Sequence, residues 1–129
     1  MTQLLLDYDF RSEDALLKFI DRVWPFIFRF EFHFGKLELT DLQIMRTKHG
    51  WHFYIEVRNK MSDLDVVFTQ SLLGSDFKRE CFNYRRVQLG ITKDWNMLFT
   101  DKYDTNHELI YVEKSMPQLG KRLLQRFES

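Results

Sequence analysis

Two segments of this chain, residues 3–10 (QLLLDYDF) and 51–58 (WHFYIEVR), alternate side chains with the period of two that marks a strand with one buried face. In the first, Leu4, Leu6, Tyr8 and Phe10 share one face while Leu5, Asp7 and Asp9 share the other. In the second, Trp51, Phe53, Ile55 and Val57 stand opposite His52, Tyr54 and Glu56. A chain with such strands must build a sheet with one fully apolar side, and something must cover that side. The cover is expected from helices. Ser12 followed by Glu13 and Asp14 is a helix start, with a hydroxyl cap and acids at the positive end of the dipole. Leu16, Phe19, Ile20, Val23 and Trp24 then recur at helical spacing, and Pro25 is expected to end the helix.

From Phe26 to Phe34, Phe28, Phe30, Phe32 and Phe34 alternate with Arg29, Glu31 and His33, which predicts a half-buried strand. Residues 37–47 form another, joined to 51–58 by a tight turn at Lys48-His49-Gly50. Ser62, with Asp65 three residues on, opens a second helix through Leu72, and Gly74 stops it. A third helix, from Ser75 to near Gly90, places Phe77, Cys81 and Tyr84 on one stripe and Arg79, Asn83 and Arg86 on another. Residues 95–103 and 109–113 are expected as further short strands. A last helix from about Ser115 would bury Met116, Leu119, Leu123 and Phe127. This order predicts an α+β fold: a ferredoxin-like or RNA-recognition-like, mainly antiparallel sheet with helices packed on one face.

The 129 residues, 13 of them Phe and only two Pro, suffice for one packed core, so a single domain over 1–129 is expected. One cysteine, Cys81, excludes an internal disulfide and is read as a small buried hydrophobe. The absence of a long apolar run or of a basic leader with a cleavage site predicts a cytoplasmic protein without membrane contact. Lys and Arg number 19, as do Asp and Glu, yet the charge is unevenly spread. Residues 77–93 hold Lys78, Arg79, Arg85, Arg86 and Lys93 against Glu80 alone. Such a segment is either a solvated face or a phosphate-binding one.

Two short motifs carry chemistry. Asp7 and Asp9, two residues apart on a strand, project the same way and could share Mg²⁺ or Mn²⁺; the plain alternative is a turn or cap role. His52 lies on the polar face of its strand, where it is either a satisfied surface histidine or a partner of those acids if the two strands are neighbours. Gly-rich phosphate loops, zinc-type Cys pairs, nucleophile elbows and HExxH are all missing from the sequence. His49 and His52 are too far apart for the paired-histidine motif of rolling-circle endonucleases. Aromatic residues around Phe53 loosely resemble the base-stacking strand of RNA-recognition modules, but the nearby acids would repel phosphate unless a metal intervened.

LLLDYDF resembles the apolar Asp-x-Asp strand of archaeo-eukaryotic primases, and Thr47-Lys48-His49-Gly50-Trp51-His52 is similar to their second motif, a Ser or Thr, a Gly and a His entering a strand. The resemblance implies Asp7 and Asp9 as ligands of Mg or Mn, and His52 as a contact to nucleotide phosphates. The family's third motif, an acid behind a hydrophobic residue on a later strand, finds no clean match: Asp94 sits in a turn, Asp101 follows Thr100 and Asp76 opens a helix. The resulting expectation is a reduced primase-palm relative that handles single-stranded nucleic acid or nucleotides in DNA replication. Asp7, Asp9 and His52 would be its site, with Lys78, Arg79, Arg85 and Arg86 on phosphate. If it is an enzyme, the class is metal-dependent nucleotidyl or phosphoryl transfer. The competing expectation is a non-enzymatic interaction protein with an RNA-recognition-like fold, whose aromatic strands or C-terminal amphipathic helix form a homodimer or a docking surface.

Overall fold

A computed structural model describes residues 1–98, 101–103 and 109–128. In chain order the elements are β1 (Thr2–Tyr8), α1 (Glu13–Arg29), β2 (Leu39–Arg46), β3 (Trp51–Val57), α2 (Asp63–Leu72) and α3 (Phe77–Gln88). Then follow β4 (Asp101–Tyr103), β5 (Leu109–Val112), β6 (Lys114–Ser115) and α4 (Pro117–Phe127). The main sheet has the order β1-β3-β2-β6, with β3 antiparallel to both β1 and β2, while β4 and β5 pair separately. The protein is therefore α+β, with a four-stranded antiparallel sheet and four helices among the described residues.

Strand alternation builds the core as expected. Leu4, Leu6 and Tyr8 of β1 pair with Ile55, Phe53 and Trp51 of β3, and Leu42 and Ile44 of β2 extend the same face, all of it buried. α1 covers this face: Ser12 accepts from the Ala15 amide, and Leu16, Ile20, Trp24 and Ile27 form its buried stripe. α4 lies against β2, close enough that a Cβ at Gly120 would come within 3.3 Å of the Leu42 carbonyl oxygen. Trp24 joins the layers, with its ring edge-on to both Phe53 and Phe127.

Four expectations are corrected. Pro25 lies inside α1 rather than at its end, because Ile27 continues the buried stripe of Leu16, Ile20 and Trp24. The proline deprives only the Asp21 carbonyl of its partner, and Asp21 is exposed, so water can serve it. Consequently no strand spans Phe26 to Phe34. Phe26 to Arg29 are helical, and Phe32 and Gly35 exchange backbone hydrogen bonds in a tight turn, with Gly35 at φ +95°. Alternation there reflects an aromatic cluster in which Phe32 and Phe34 stack at 5.0 Å. Cys81, expected in the core, is exposed. Glu80 and Asn83 face inward in its place. Of the strand expected over 95–103, residues 95–98 carry none, 101–103 form β4, and 99–100 lie outside the described residues.

Helices α2 and α3 stand along the edge of β1 that no strand pairs among the described residues. The Leu5 amide donates to Gln70 Oε1 at 2.8 Å, and the Leu5 carbonyl accepts from Arg79 Nη1 at 2.9 Å. The Asp7 amide donates to Ser75 Oγ at 3.0 Å, and its carbonyl accepts from the Asp76 amide at 2.7 Å. Side chains and a helix N-terminus thus occupy backbone groups that another strand would otherwise take. This is why α3 turns polar residues inward.

Candidate functional site

The placement of His52 begins with a turn. The Thr47 amide donates to the Gly50 carbonyl and the Gly50 amide to Thr47 Oγ1, both at 2.9 Å, closing the β2–β3 hairpin. A Cβ on Gly50 would fall 1.8 Å from the Tyr8 carbonyl oxygen, so only glycine lets this turn lie against the end of β1. The resulting register sets Asp7 directly opposite His52 on the sheet face away from α1. His52 Nε2 lies 3.6 Å from Asp7 Oδ1.

The other imidazole nitrogen is engaged too. His52 Nδ1 is 2.9 Å from Glu113 Oε2, and the Tyr54 hydroxyl donates to both oxygens of that carboxylate at 2.9 and 3.1 Å. The His52 and Glu113 side chains are 7% and 10% exposed, so these contacts are made largely out of water. With Glu113 accepting the Nδ1 proton, Nε2 is left as the ring atom directed toward Asp7. Burial beside this carboxylate holds the Tyr54 phenol well above its usual range, so it stays a donor.

Asp7 is held above its ordinary carboxyl value. Burial is the main cause; His52 and Arg79 pull the other way, and the like charges of Asp9 and Asp76 push with burial. Asp7 and His52 open into a cleft of about 230 Å³ that is also lined by Arg79, Asn83, Arg86 and Trp95. The Arg79 guanidinium is spent on structure: besides Leu5 it meets Glu80 Oε2 at 2.5 Å, Asn96 Oδ1 at 2.7 Å and the Met97 carbonyl at 3.2 Å. Its charge still borders the cleft. Arg86 is exposed, and its guanidinium meets Asn83 Oδ1 at 3.3 Å. Lys78 and Arg85 are exposed residues of α3 and do not line the cleft.

Asp9 falls beyond the last residue of β1 and is exposed, so the ladder does not hold it beside Asp7. It instead shares with Asp7 and Asp76 a shallow depression at the strand end. Among the described residues no three His, Cys, Asp or Glu side chains are grouped to hold a metal ion.

Sequence reasoning missed Glu113. A usable signal was present, since LIYVE had been expected as a short strand and Glu113 is the acid behind its last hydrophobic residue, Val112. What hid it was distance along the chain: 61 residues separate it from His52. Comparison with family models, curated proteins and solved structures returns no match. No helix among the described residues is long and apolar enough to cross a membrane.

Proposed function

We propose that this protein handles nucleotides or single-stranded nucleic acid through the cleft beside β1, as a reduced relative of the primase palm on a ferredoxin-like scaffold. The observation that carries the reading is the cross-strand pair of Asp7 and His52, 3.6 Å apart at a cleft whose wall includes Arg79 and Arg86. A carboxylate and an imidazole beside two guanidinium groups suit a phosphorylated ligand that brings its own cation. Glu113 lends further support. It is an acid behind a hydrophobic residue after a later strand, the feature missing from the resemblance, and it touches His52.

The acids around Asp7 are hard oxygen donors of the kind Mg or Mn takes, and among the described residues they are not grouped to hold an ion together. Asp7, Asp9 and Asp76 are hard oxygen ligands on one depression, and the repulsion of Asp9 and Asp76 on Asp7 is the kind a bound dication relieves. The ion, when bound, would neutralise phosphate charge. In this reading His52, oriented by Glu113, contacts phosphate through Nε2, Arg86 supplies an exposed cation, and Arg79 holds the wall in place.

Titration of a labelled nucleoside triphosphate with Mg²⁺ or Mn²⁺ tests it. Wild type should bind more tightly with metal, and the Asp7→Ala/Asp9→Ala double variant should lose that gain. Equal affinity in the two proteins would sink the metal site. Affinity for single-stranded DNA should fall as salt rises, with a shallower slope in Arg86→Ala; binding that ignores salt would remove the phosphate contacts.

A further inference from the structure

We infer that the outer face of α2 and α3 is an interface between two copies of this chain. A hollow of about 680 Å³, distinct from the cleft, lies between these helices and is lined by Leu64, Phe68, Phe77, Cys81 and Tyr84. On α2, Leu64, Phe68 and Ser71 recur at helical spacing; on α3, Phe77, Cys81 and Tyr84 do the same. Two apolar stripes therefore run side by side in solvent. Phe68 is 56% exposed and Phe77 71%.

This arrangement inverts the usual helix. α3 buries Glu80 and Asn83, at 3% and 1% exposure, and presents its aromatic residues to water. The inward side has a cause, since Glu80 and Asn83 join the polar network of Gln70 and Arg79 that closes the edge of β1. Nothing in that network calls for aromatics outside. A contiguous exposed apolar patch of this kind is the mark of a surface that is covered in use.

Charge says which cover. α2 carries the half-buried Asp63 and Asp65 and no base, whereas α3 carries the exposed Lys78 and Arg85 outside the cleft lining, and its one acid is buried. A two-fold contact meets an identical patch, so it needs a face that complements itself. Acidic α2 against basic α3 of a second copy, and the reverse, satisfies this, with the aromatic stripes closing into a four-helix layer. A net formal charge of zero means that two copies do not repel as wholes.

The test is sedimentation equilibrium of the full chain over a concentration series in reducing buffer. The expected mass is twice that of one chain. Phe68→Glu should give a monomer with unchanged circular dichroism, because Phe68 is a surface residue. Lys78→Glu should weaken the dimer by about tenfold, the scale of two symmetry-related ion pairs lost at roughly 0.7 kcal/mol each. Adding Asp63→Lys to that variant should recover it. The single thiol provides a position marker: a bis-maleimide should link Cys81 to Cys81 in wild type and fail to do so in Phe68→Glu. A monomer at every concentration would overturn the inference and leave the hollow to a partner of different sequence. A dimer indifferent to Phe68→Glu, or one without the Cys81 cross-link, would place the contact elsewhere and overturn it equally.

Discussion

Asp7 is the residue at which burial and charge meet, and its titration has a definite sign. Its carboxyl is raised from an ordinary value near 3.8, so the folded chain holds the proton more tightly than the unfolded one. Stability from this group is therefore greatest at low pH and is lost as pH rises through the folded value. At neutral pH the ionised form is a liability. Asp7→Asn should raise the melting temperature at about pH 7 and lose its advantage at about pH 3, where Asp7 is itself protonated; an equal shift at both would refute the assignment. Tyr8 provides a second case. Its hydroxyl donates to the Leu73 carbonyl at 2.5 Å and accepts from Trp24 Nε1 at 3.1 Å, tying β1, α1 and the end of α2 together. Tyr8→Phe leaves a buried indole N–H and a carbonyl without partners and should cost about 1–3 kcal/mol in denaturant unfolding. Asp7 and His52 were legible as candidates because residue type and parity are local. Glu113 and Arg79's structural duty were not, because each is defined by a partner far along the chain.

Among the elements, the β2–β3 hairpin carries the site's register and the α2–α3 pair carries its wall. Gly50→Ala must push the turn away from the Tyr8 carbonyl, and the expected cost is about 1–3 kcal/mol of stability. The same displacement should alter the environment of the His52 ring, read by nuclear magnetic resonance of its side chain; an unchanged ring signal would detach the turn from the site. Helix starts at Ser12 and Ser62 were readable because a cap is a contact within one turn, and both hydroxyls do accept from the amide three residues on. The end of α1 was not. A proline is a strong local signal, but the burial of Ile27 and the packing of Phe28 on Trp24 and Phe127 outweigh one missing hydrogen bond on an exposed side. α3 misled for a related reason: Cys81, on its apolar stripe, was expected in the core, whereas the open edge of β1 demanded polar partners and took the opposite side of the helix.

At the scale of the whole molecule, one tryptophan tests how the layers depend on each other. Trp24 is fully buried and touches Tyr8, Phe28, Phe53 and Phe127, which belong to β1, α1, β3 and α4. Trp24→Ala should destabilise the fold by about 3–5 kcal/mol in chemical denaturation, and a loss below about 1 kcal/mol would mean the layers are held together elsewhere. The α+β class and the sheet's apolar face were legible in the amino-acid sequence alone, whereas the pairing of the Asp7 strand with the His52 strand came from the tertiary structure. The first two follow from side-chain alternation and capping, which act over a few residues. Which helix face turns inward, which acid meets His52, and where the exposed aromatics gather were decided only by the tertiary structure. Those outcomes turn on the unpaired backbone of β1 and on residues brought together across dozens of positions, and no local spacing encodes a partner that distant.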